Sequence, residues 1–566
     1  MAIHTCNQFA ALSIMVILAS ALVGSCSKPT PNARVHTPAA LPELSFAQSA
    51  DVVDVFGFLE VTITIPKPTA QNPFTEVFVT GRFETSGADG PNARSVDGFC
   101  DSADGSAFRI RFMPTTPGPY TYSVTYWEHN LSKVQTGTFR AIDAKRRGLL
   151  AVDPVHPWHF IWKGTGEHYF LNGTTAFLLM GWTDEKIIQE CIRRLRRFEI
   201  NRIRVLLDGR TDHFWTEPVR PTSLFHAHLE PWLAGRPDSI DDPEFDFSRF
   251  NVSYWKKFER MLEYARDRDV IISVILAWSV APVHPVAGSE DERRYLRYAV
   301  ARLGAFSNVT WDLGDDLDSF RDEPWTHATG EFLREIDAYQ HLATSHPASV
   351  DQPQDRSAAW FGMTSFQYWK RPLHAWMLQQ RKLQSEAGRI VPQVNEEYGY
   401  EDHYPKWAPY SPPAASADSN RRAAWEMTMA GGYQTTGETA KRGTGIAPDT
   451  GGGWVNGRGD ETMKMLDGYM QIMRFFEKFQ WWLTQPSDEL VDNGAFCLSD
   501  PGNLYVIYLP NGGSVDVELE LGRYNAQWFN PRSGEYSSIP PAEGPRWRSP
   551  SAPDTKDWAL LLTRVH

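Results

Sequence analysis

Two acidic doublets stand out in the chain: Asp315-Asp316 in "NVTWDLGDDLD" and Glu396-Glu397 in "PQVNEEYGYE". Each follows a short apolar run and lies near a glycine, Gly314 or Gly399, that can turn the backbone out of a strand. Two carboxylates facing each other across a cleft are what cleavage of a glycosidic bond needs. One stays ionised and attacks the anomeric carbon, and the other is held protonated to donate to the leaving oxygen. Acidic residues at strand ends also serve as helix caps or solvate loops, so the doublets matter only if the fold brings them to one site. Successive strand residues face opposite ways, and at most one of Glu396 and Glu397 is therefore expected to point inward.

The surrounding pattern supplies such a fold. After about residue 150, strand-like runs alternate with amphipathic helical ones. "YFLNGTTAFLLMGW" precedes "DEKIIQECIRRLRRF", "RIRVLLD" precedes "VSYWKKFERMLEYARDR", and "VIISVILAW" precedes "DERRYLRYAVARLGAF". "VTWDLGD" leads to "EFLREIDAYQHLA"; weaker strands are expected near 345–350 and 360–368, then come "IVPQVNEE" and "GGYQTTGE". The helix "ETMKMLDGYMQIMRFFEKF" closes the series. Eight βα units predict an α/β fold, a (β/α)8 barrel with insertions over residues 144–486. A doubly wound open sheet is the runner-up, but no GxGxxG follows the first strand.

A barrel of this kind carries its active site at the C-terminal ends of its strands. Polar residues there include Arg204 in an apolar run, Trp278 with His284 beyond it, the Asp315-Asp316 doublet, Gln367 in "SFQYW", and the two glutamates.

Shorter alternating strands flank the barrel. "FLEVTITI", "TEVFVTGRFE", "AFRIRFMP" and "YTYSVTYWE" predict a β-sandwich over 45–143, and "NLYVIYLPNGGSVDVELEL" and "DWALLLTRV" a second one over 487–566. At 566 residues, 42% hydrophobic and 22% charged, the chain is long enough for several cores. The aromatic share is 13%, with 21 Trp, which suits either large core residues or platforms for sugar rings. A net charge of −13 without any long Lys/Arg run argues against nucleic acid as partner.

The start of the chain, "ALSIMVILASALVGSC", is an apolar run too short for a comfortable bilayer span, ending in small residues before Cys26. Val23-Gly24-Ser25-Cys26 resembles the lipobox of bacterial lipoproteins, although "MAIHTCNQ" carries no Lys or Arg. This predicts a signal peptide over 1–25, lipidation at Cys26, a Pro-rich spacer over 26–44, and contact with membrane only through the lipid. Cys100, Cys191 and Cys497 then remain, odd in number and far apart. They read as buried thiols or at most one bridge, with no metal site.

The two doublets and their surroundings resemble clan A glycoside hydrolases, whose barrels place an acid/base after strand four and a nucleophile after strand seven. More closely, the chain is similar to bacterial apiosidase-like barrels with an Ig-like domain in front and a collagen-binding-type β-sandwich behind. The resemblance is carried by "NPFTEVFVTGRF", "VDGFCD" and "FRIRFMPTTPGPYTYSV" in front. In the barrel it is carried by "NVTWDLGDDLD", "VNEEYGYE" and "WWLTQPSDELV", and behind by "QWFNPRSGEY".

This resemblance implies that Glu397, directly before Tyr398-Gly399, is the nucleophile and Asp316 the acid/base, acting by a retaining double displacement. It implies that Arg204 hydrogen-bonds the nucleophile and keeps it ionised. Where the clan has Asn-Glu, this chain has Asp315-Asp316, which removes an amide donor and adds an acid that raises its neighbour's pKa. Trp278, His284, Gln367, Glu438 and Trp454 are candidate sugar contacts, and Thr174 stands where some relatives carry an acid. Glu396 is expected to face the surrounding shell or a loop. The long rim loops over 209–249 and 440–460 are the expected determinants of sugar choice. The implied partner is an oligo- or polysaccharide of plant or algal origin, with no cofactor. The alternative is a non-catalytic carbohydrate-binding lipoprotein on the same barrel, an alternative raised by the Asp315-Asp316 departure.

Overall fold

A computed structural model describes residues 40–565, apart from 88–89, 212, 215–216, 219–222, 282, 350–355, 402–414, 439–452 and 460–461. The leader and Cys26 lie outside the described residues. No described helix is long and apolar enough to cross a membrane.

Eight parallel strands form the centre: β1 (Asn172–Thr175), β2 (Arg202–Leu206), β3 (Ile271–Ile275), β4 (Val309–Asp312), β5 (Ala343–Thr344), β6 (Thr364–Gln367), β7 (Gln393–Glu397) and β8 (Tyr433–Thr436). They pair in the order β5-β4-β3-β2-β1-β8-β7-β6. The remaining seam, β5 to β6, is held by the parallel Ala343–Phe361 bridge, by Gly362 N donating to Ala343 O at 2.7 Å, and by Thr344 Oγ1 donating to Met363 O at 2.8 Å. The sheet is therefore a (β/α)8 barrel. Strand five, expected near 345–350, lies earlier at Ala343–Thr344, and the chain continues beside the exit of β4 as far as His346, whose N donates to Gly314 O at 3.2 Å.

Helices α1 (Glu185–Arg197), α2 (Val252–Arg266), α3 (Glu290–Leu303), α4 (Glu323–Ile336), α5 (Leu373–Glu386), α6 (Ala417–Met429) and α7 (Met465–Phe476) surround the strands. Their ends follow local chemistry. Asp184 caps α1 through Lys186 N, and Arg194, Arg196 and Arg197 sit in its last turn, where the helix dipole favours cations. Ser289 caps α3, and Glu290, Asp291 and Glu292 fill the first turn. Strands β2 and β3 are buried along their whole length, as expected for a parallel sheet covered by helices.

In front of the barrel stand a four-stranded and a five-stranded antiparallel-rich sheet, built from residues between Ser45 and Ile142. Ion pairs lock them to the barrel: Arg111 Nη1 donates to Glu259 Oε1 at 2.6 Å, and Arg302 Nη2 to Asp101 Oδ1 at 2.7 Å. A six-stranded sheet follows the barrel and packs on α6. Arg421 bonds Asp557 at 2.8 Å, and Trp425 stacks on Tyr508 with ring centroids 5.1 Å apart. Cys100, Cys191 and Cys497 are free and buried. Burial pushes the Cys100 and Cys191 thiols up to about 12, so both stay protonated and inert.

Candidate active site

Side chains at positions two apart on a strand share a face, and on β2 those are Arg202 and Arg204, both fully buried. Both point into the barrel, and each organises one polar layer. In the lower layer, Arg202 Nη1 donates to Glu396 Oε2 at 2.8 Å and to Thr435 Oγ1 at 3.3 Å, while Nη2 donates to Ser273 Oγ at 2.8 Å. These partners come from β7, β8 and β3, so only the barrel interior can hold them together. Gly173 on the intervening β1 is required there, since a Cβ would collide with Thr435 Oγ1.

In the upper layer, Arg204 Nη2 donates to Asp315 Oδ1 at 2.8 Å and to Asp312 Oδ2 at 3.0 Å. Its Nη1 stands 3.5 Å from Glu397 Oε1. His346, beyond β5, places Nε2 3.7 Å from both Asp315 Oδ1 and Glu397 Oε1. Gln367 Nε2 donates to Glu397 Oε2 at 3.2 Å, and the Tyr400 hydroxyl also bonds this carboxylate.

Both glutamates of the doublet therefore face inward, contrary to the alternation expected of a strand. The cause is a register shift between β6 and β7: Phe366 pairs with Asn395 but Gln367 with Glu397, so Glu396 is the extra residue of a bulge. Glu396 does not face the shell or a loop. It is buried in the barrel floor on Arg202.

Asp316 sits opposite, on the exit of β4. Asp315 N donates to Ala277 O at 3.0 Å and Ser279 N to Asp315 O at 3.3 Å, which ties this exit to the end of β3 through the Trp278–Asp315 bridge. The backbone then enters the left-handed region at Asp316, φ 50° and ψ 39°. Its carboxylate is half-buried, with Ser279 Oγ donating to Oδ2 at 3.5 Å.

Charge is crowded in this cluster. Burial, the Asp315 and Asp318 carboxylates raise Asp316 to about 7, which keeps a proton on it at mildly acidic pH. Burial, then Asp315 and Asp316, hold Glu397 well above the usual carboxylate range, with Arg204 opposing. Asp315 is raised by burial and then Glu396, against the pull of Arg204, and Asp312 is raised by burial to about 7. Glu396 behaves oppositely: burial pushes it up, but Arg202, Arg204 and its hydrogen bonds outweigh this and hold it below the normal value. His346 is kept neutral by burial and by both arginines. Carboxylates this close exchange protons as one group, so the apparent pKa values belong to the cluster. Arg204 divides its contacts: the short bonds go to Asp315 and Asp312, and Glu397 receives a longer one at 3.5 Å that favours its ionised form.

The remaining candidates separate. Gln367 reaches Glu397. Trp454 is buried at the rim and stacks on Tyr400, centroids 4.5 Å apart and planes 13° apart. Trp278 is buried beside Phe177, with centroids 6.5 Å apart. His284 stands outside the cluster, 3.6 Å from Asp208 and stacked on Phe320. Glu438 is not available as a simple sugar contact, because Arg194 of α1 holds both its oxygens, one at 3.1 Å. Thr174 is buried and bonds the Thr175 carbonyl. Of the proposed specificity loops, most of 440–460 lies outside the described residues.

Arg202, Asp312, His346, Ser365 and Tyr400 escaped sequence reading. Asp312 and Tyr400 each lie three or four residues from a proposed catalytic acid, a usable signal. His346 had none, because its strand is two residues long.

A groove of about 650 Å³ also lies near Asp316, lined by Leu317, Phe320, Arg321, Trp325, Ser345 and Trp360. Ser345 faces it while His346 faces the barrel interior, so the β5 wall separates this groove from the carboxylate cluster.

The fold is a (β/α)8 barrel with a buried carboxylate cluster at the C-terminal ends of its strands. Residues 159–438 match the family "Apiosidase-like, catalytic domain". Residues 52–126 match "Domain of unknown function (DUF5060)", and 496–563 match "Putative collagen-binding domain of a collagenase". The three matches fall in the order front, barrel, rear that the sequence motifs imply. Among solved structures, the chain is similar to a "putative glycoside hydrolase" from Bacteroides vulgatus, at 20% identity and TM-score 0.74, over 91% of this chain and all of that one. A glycoside hydrolase of family 5 from the same organism aligns at 15% identity and TM-score 0.55, over 74% of this chain and 94% of that one. At these identities the likeness concerns the fold. No curated protein matches the chain.

Proposed function

We propose that this protein hydrolyses a glycosidic bond in a plant or algal polysaccharide with retention of anomeric configuration. Glu397 attacks the anomeric carbon from β7, and a glycosyl-enzyme ester forms. Asp316 donates its proton to the leaving oxygen and, once ionised, takes a proton from the water that hydrolyses the ester. The observation that carries this reading is the pairing of Asp316, held protonated up to about pH 7, with Glu397 in one electrostatically linked cluster at the barrel mouth.

Arg204, Gln367 and Tyr400 orient Glu397, and Trp454 supports Tyr400 from behind. The proton distribution must change on substrate binding: Glu397 has to be the ionised member, with the cluster's proton on Asp316. Positive charge developing at the sugar ring favours that arrangement, because it stabilises the nearest carboxylate in its ionised form. Export and lipid anchoring through Cys26 are part of the same proposal, resting on the apolar leader and the Val23-Gly24-Ser25-Cys26 motif.

Incubation with a panel of plant and algal polysaccharides, measuring new reducing ends and the anomeric configuration first released, tests the reading. Retained configuration that disappears in Glu397→Gln supports it. Binding of glycan with no sugar released by any form would instead establish a carbohydrate-binding protein, and an inverted product would exclude the double displacement.

A further inference from the structure

The triad Asp315, His346 and Glu397 has a geometry that the glycosidase mechanism does not use. One donor atom from each lies within 4.8 Å of the others, and all three residues are buried. His346 Nδ1 is bonded to Ser365 Oγ at 2.9 Å, which fixes the ring and directs Nε2 at the two carboxylates. That Nε2 is fully buried; the Gln367 side chain interacts with the ring, but no hydrogen bond of good geometry closes on Nε2 among the described residues. Its 3.7 Å separations from Asp315 Oδ1 and Glu397 Oε1 are too long for hydrogen bonds. They are close to the separation of about 3.4 Å between two ligands of one tetrahedral zinc ion.

We propose that Asp315, His346 and Glu397 form a divalent-cation site inside the cleft. A donor set of one imidazole and two carboxylates suits a borderline ion such as Zn2+, and suits Ca2+ or Mg2+ less, since those take oxygen ligands. Charge supports it: five inward carboxylates, Asp312, Asp315, Asp316, Glu396 and Glu397, face only Arg202 and Arg204 among the described residues. Ser365 orients the imidazole, and Gln367 holds the second oxygen of Glu397, as outer partners do in metal sites. The Arg204 guanidinium opposes the ion, lying 2.8 Å from Asp315 Oδ1 and 3.5 Å from Glu397 Oε1, but it keeps Asp312 as an alternative partner at 3.0 Å.

The consequence rests on the reading of Glu397 as nucleophile: an ion on Oε1 removes the attacking electron pair, so occupancy switches the enzyme off. Binding itself is independent of that reading. Equilibrium dialysis of the full chain against Zn2+ is the test. The expected result is one ion per chain that is lost in His346→Ala and Asp315→Asn. Ser365→Ala, which leaves all three ligands in place, should bind about tenfold more weakly. Far-ultraviolet circular dichroism of each variant checks that it is folded. Inhibition of sugar release by Zn2+, reversed by a chelator, supports the consequence. Unchanged Zn2+ binding in folded His346→Ala and Ser365→Ala overturns the site, as does no binding by the wild type. Zinc binding by a wild type that hydrolyses no glycan even after a chelator has removed the ion would leave the site standing and sink the glycosidase reading instead.

Discussion

Arg202 and Glu396 are both fully buried and bonded at 2.8 Å in the barrel floor, directly beneath the layer that holds Glu397. Removing one partner of a buried ion pair leaves an uncompensated charge and costs about 3–5 kcal/mol. Glu396→Ala should lose stability of that order in chemical denaturation. Glu396→Gln keeps hydrogen-bonding capacity and should lose less, while retaining measurable turnover. A Glu396→Gln enzyme as inactive as Glu397→Gln would assign the chemistry to the wrong glutamate.

Glu397→Gln removes the nucleophile and should lower turnover about 10⁴-fold or more. Asp316→Asn removes the proton donor and should lower it about 10²–10⁴-fold on natural glycosides. The second loss should shrink on aryl glycosides with acidic phenol leaving groups, which depart without protonation. Equal losses on both substrate types would argue against Asp316 as the acid.

The cluster sets the pH profile. Activity needs Glu397 ionised, and its pKa is raised, so the acid limb should lie above the ordinary glutamate value. Activity also needs Asp316 protonated, and its pKa is raised as well, so the alkaline limb should lie well above the ordinary aspartate value. Asp315 raises both neighbours by charge. Asp315→Asn removes that charge and should move both limbs of kcat/KM toward lower pH. A profile that stays in place would show that Asp315 is protonated throughout.

Tyr400→Phe removes one hydroxyl from Glu397 and keeps the ring stacked on Trp454. A hydrogen bond of this kind contributes about 0.5–1.5 kcal/mol, more when its partner is charged. The variant should lose about three- to tenfold in kcat/KM with little change in thermal unfolding. Loss of stability without loss of rate would make Tyr400 a packing residue.

Asp557 accepts from Arg421 Nε and Nη2, at 3.1 and 2.8 Å, with no exposure of its own. Asp557→Ala should destabilise the barrel together with the rear sheet, seen as a lowered single thermal transition. Two separated transitions would show instead that the rear domain unfolds by itself.

Much of this was legible in advance because its signals are local. Period-two and period-3.6 runs mark strands and helices wherever they are long, as in "VIISVILAW" and "EKIIQECIRRLRR". Strand five gives no such signal, because two residues carry no period. The doublets stand out as acids beside glycines, Arg204 as a charge in an apolar run, and Gln367 as a polar residue at the end of a strand.

By itself, then, the sequence determined the barrel, its flanking β domains, and the two strand ends that carry the acids, since these depend on pattern along one strand at a time. Only the tertiary structure decided which groups share a charge. The register slip between β6 and β7 turns Glu396 inward onto Arg202, and closure of the barrel brings His346, just beyond β5, close to both Asp315 and Glu397. Side-chain direction at a bulge and proximity across a barrel depend on pairing between strands far apart in the chain. No local run of residues encodes that.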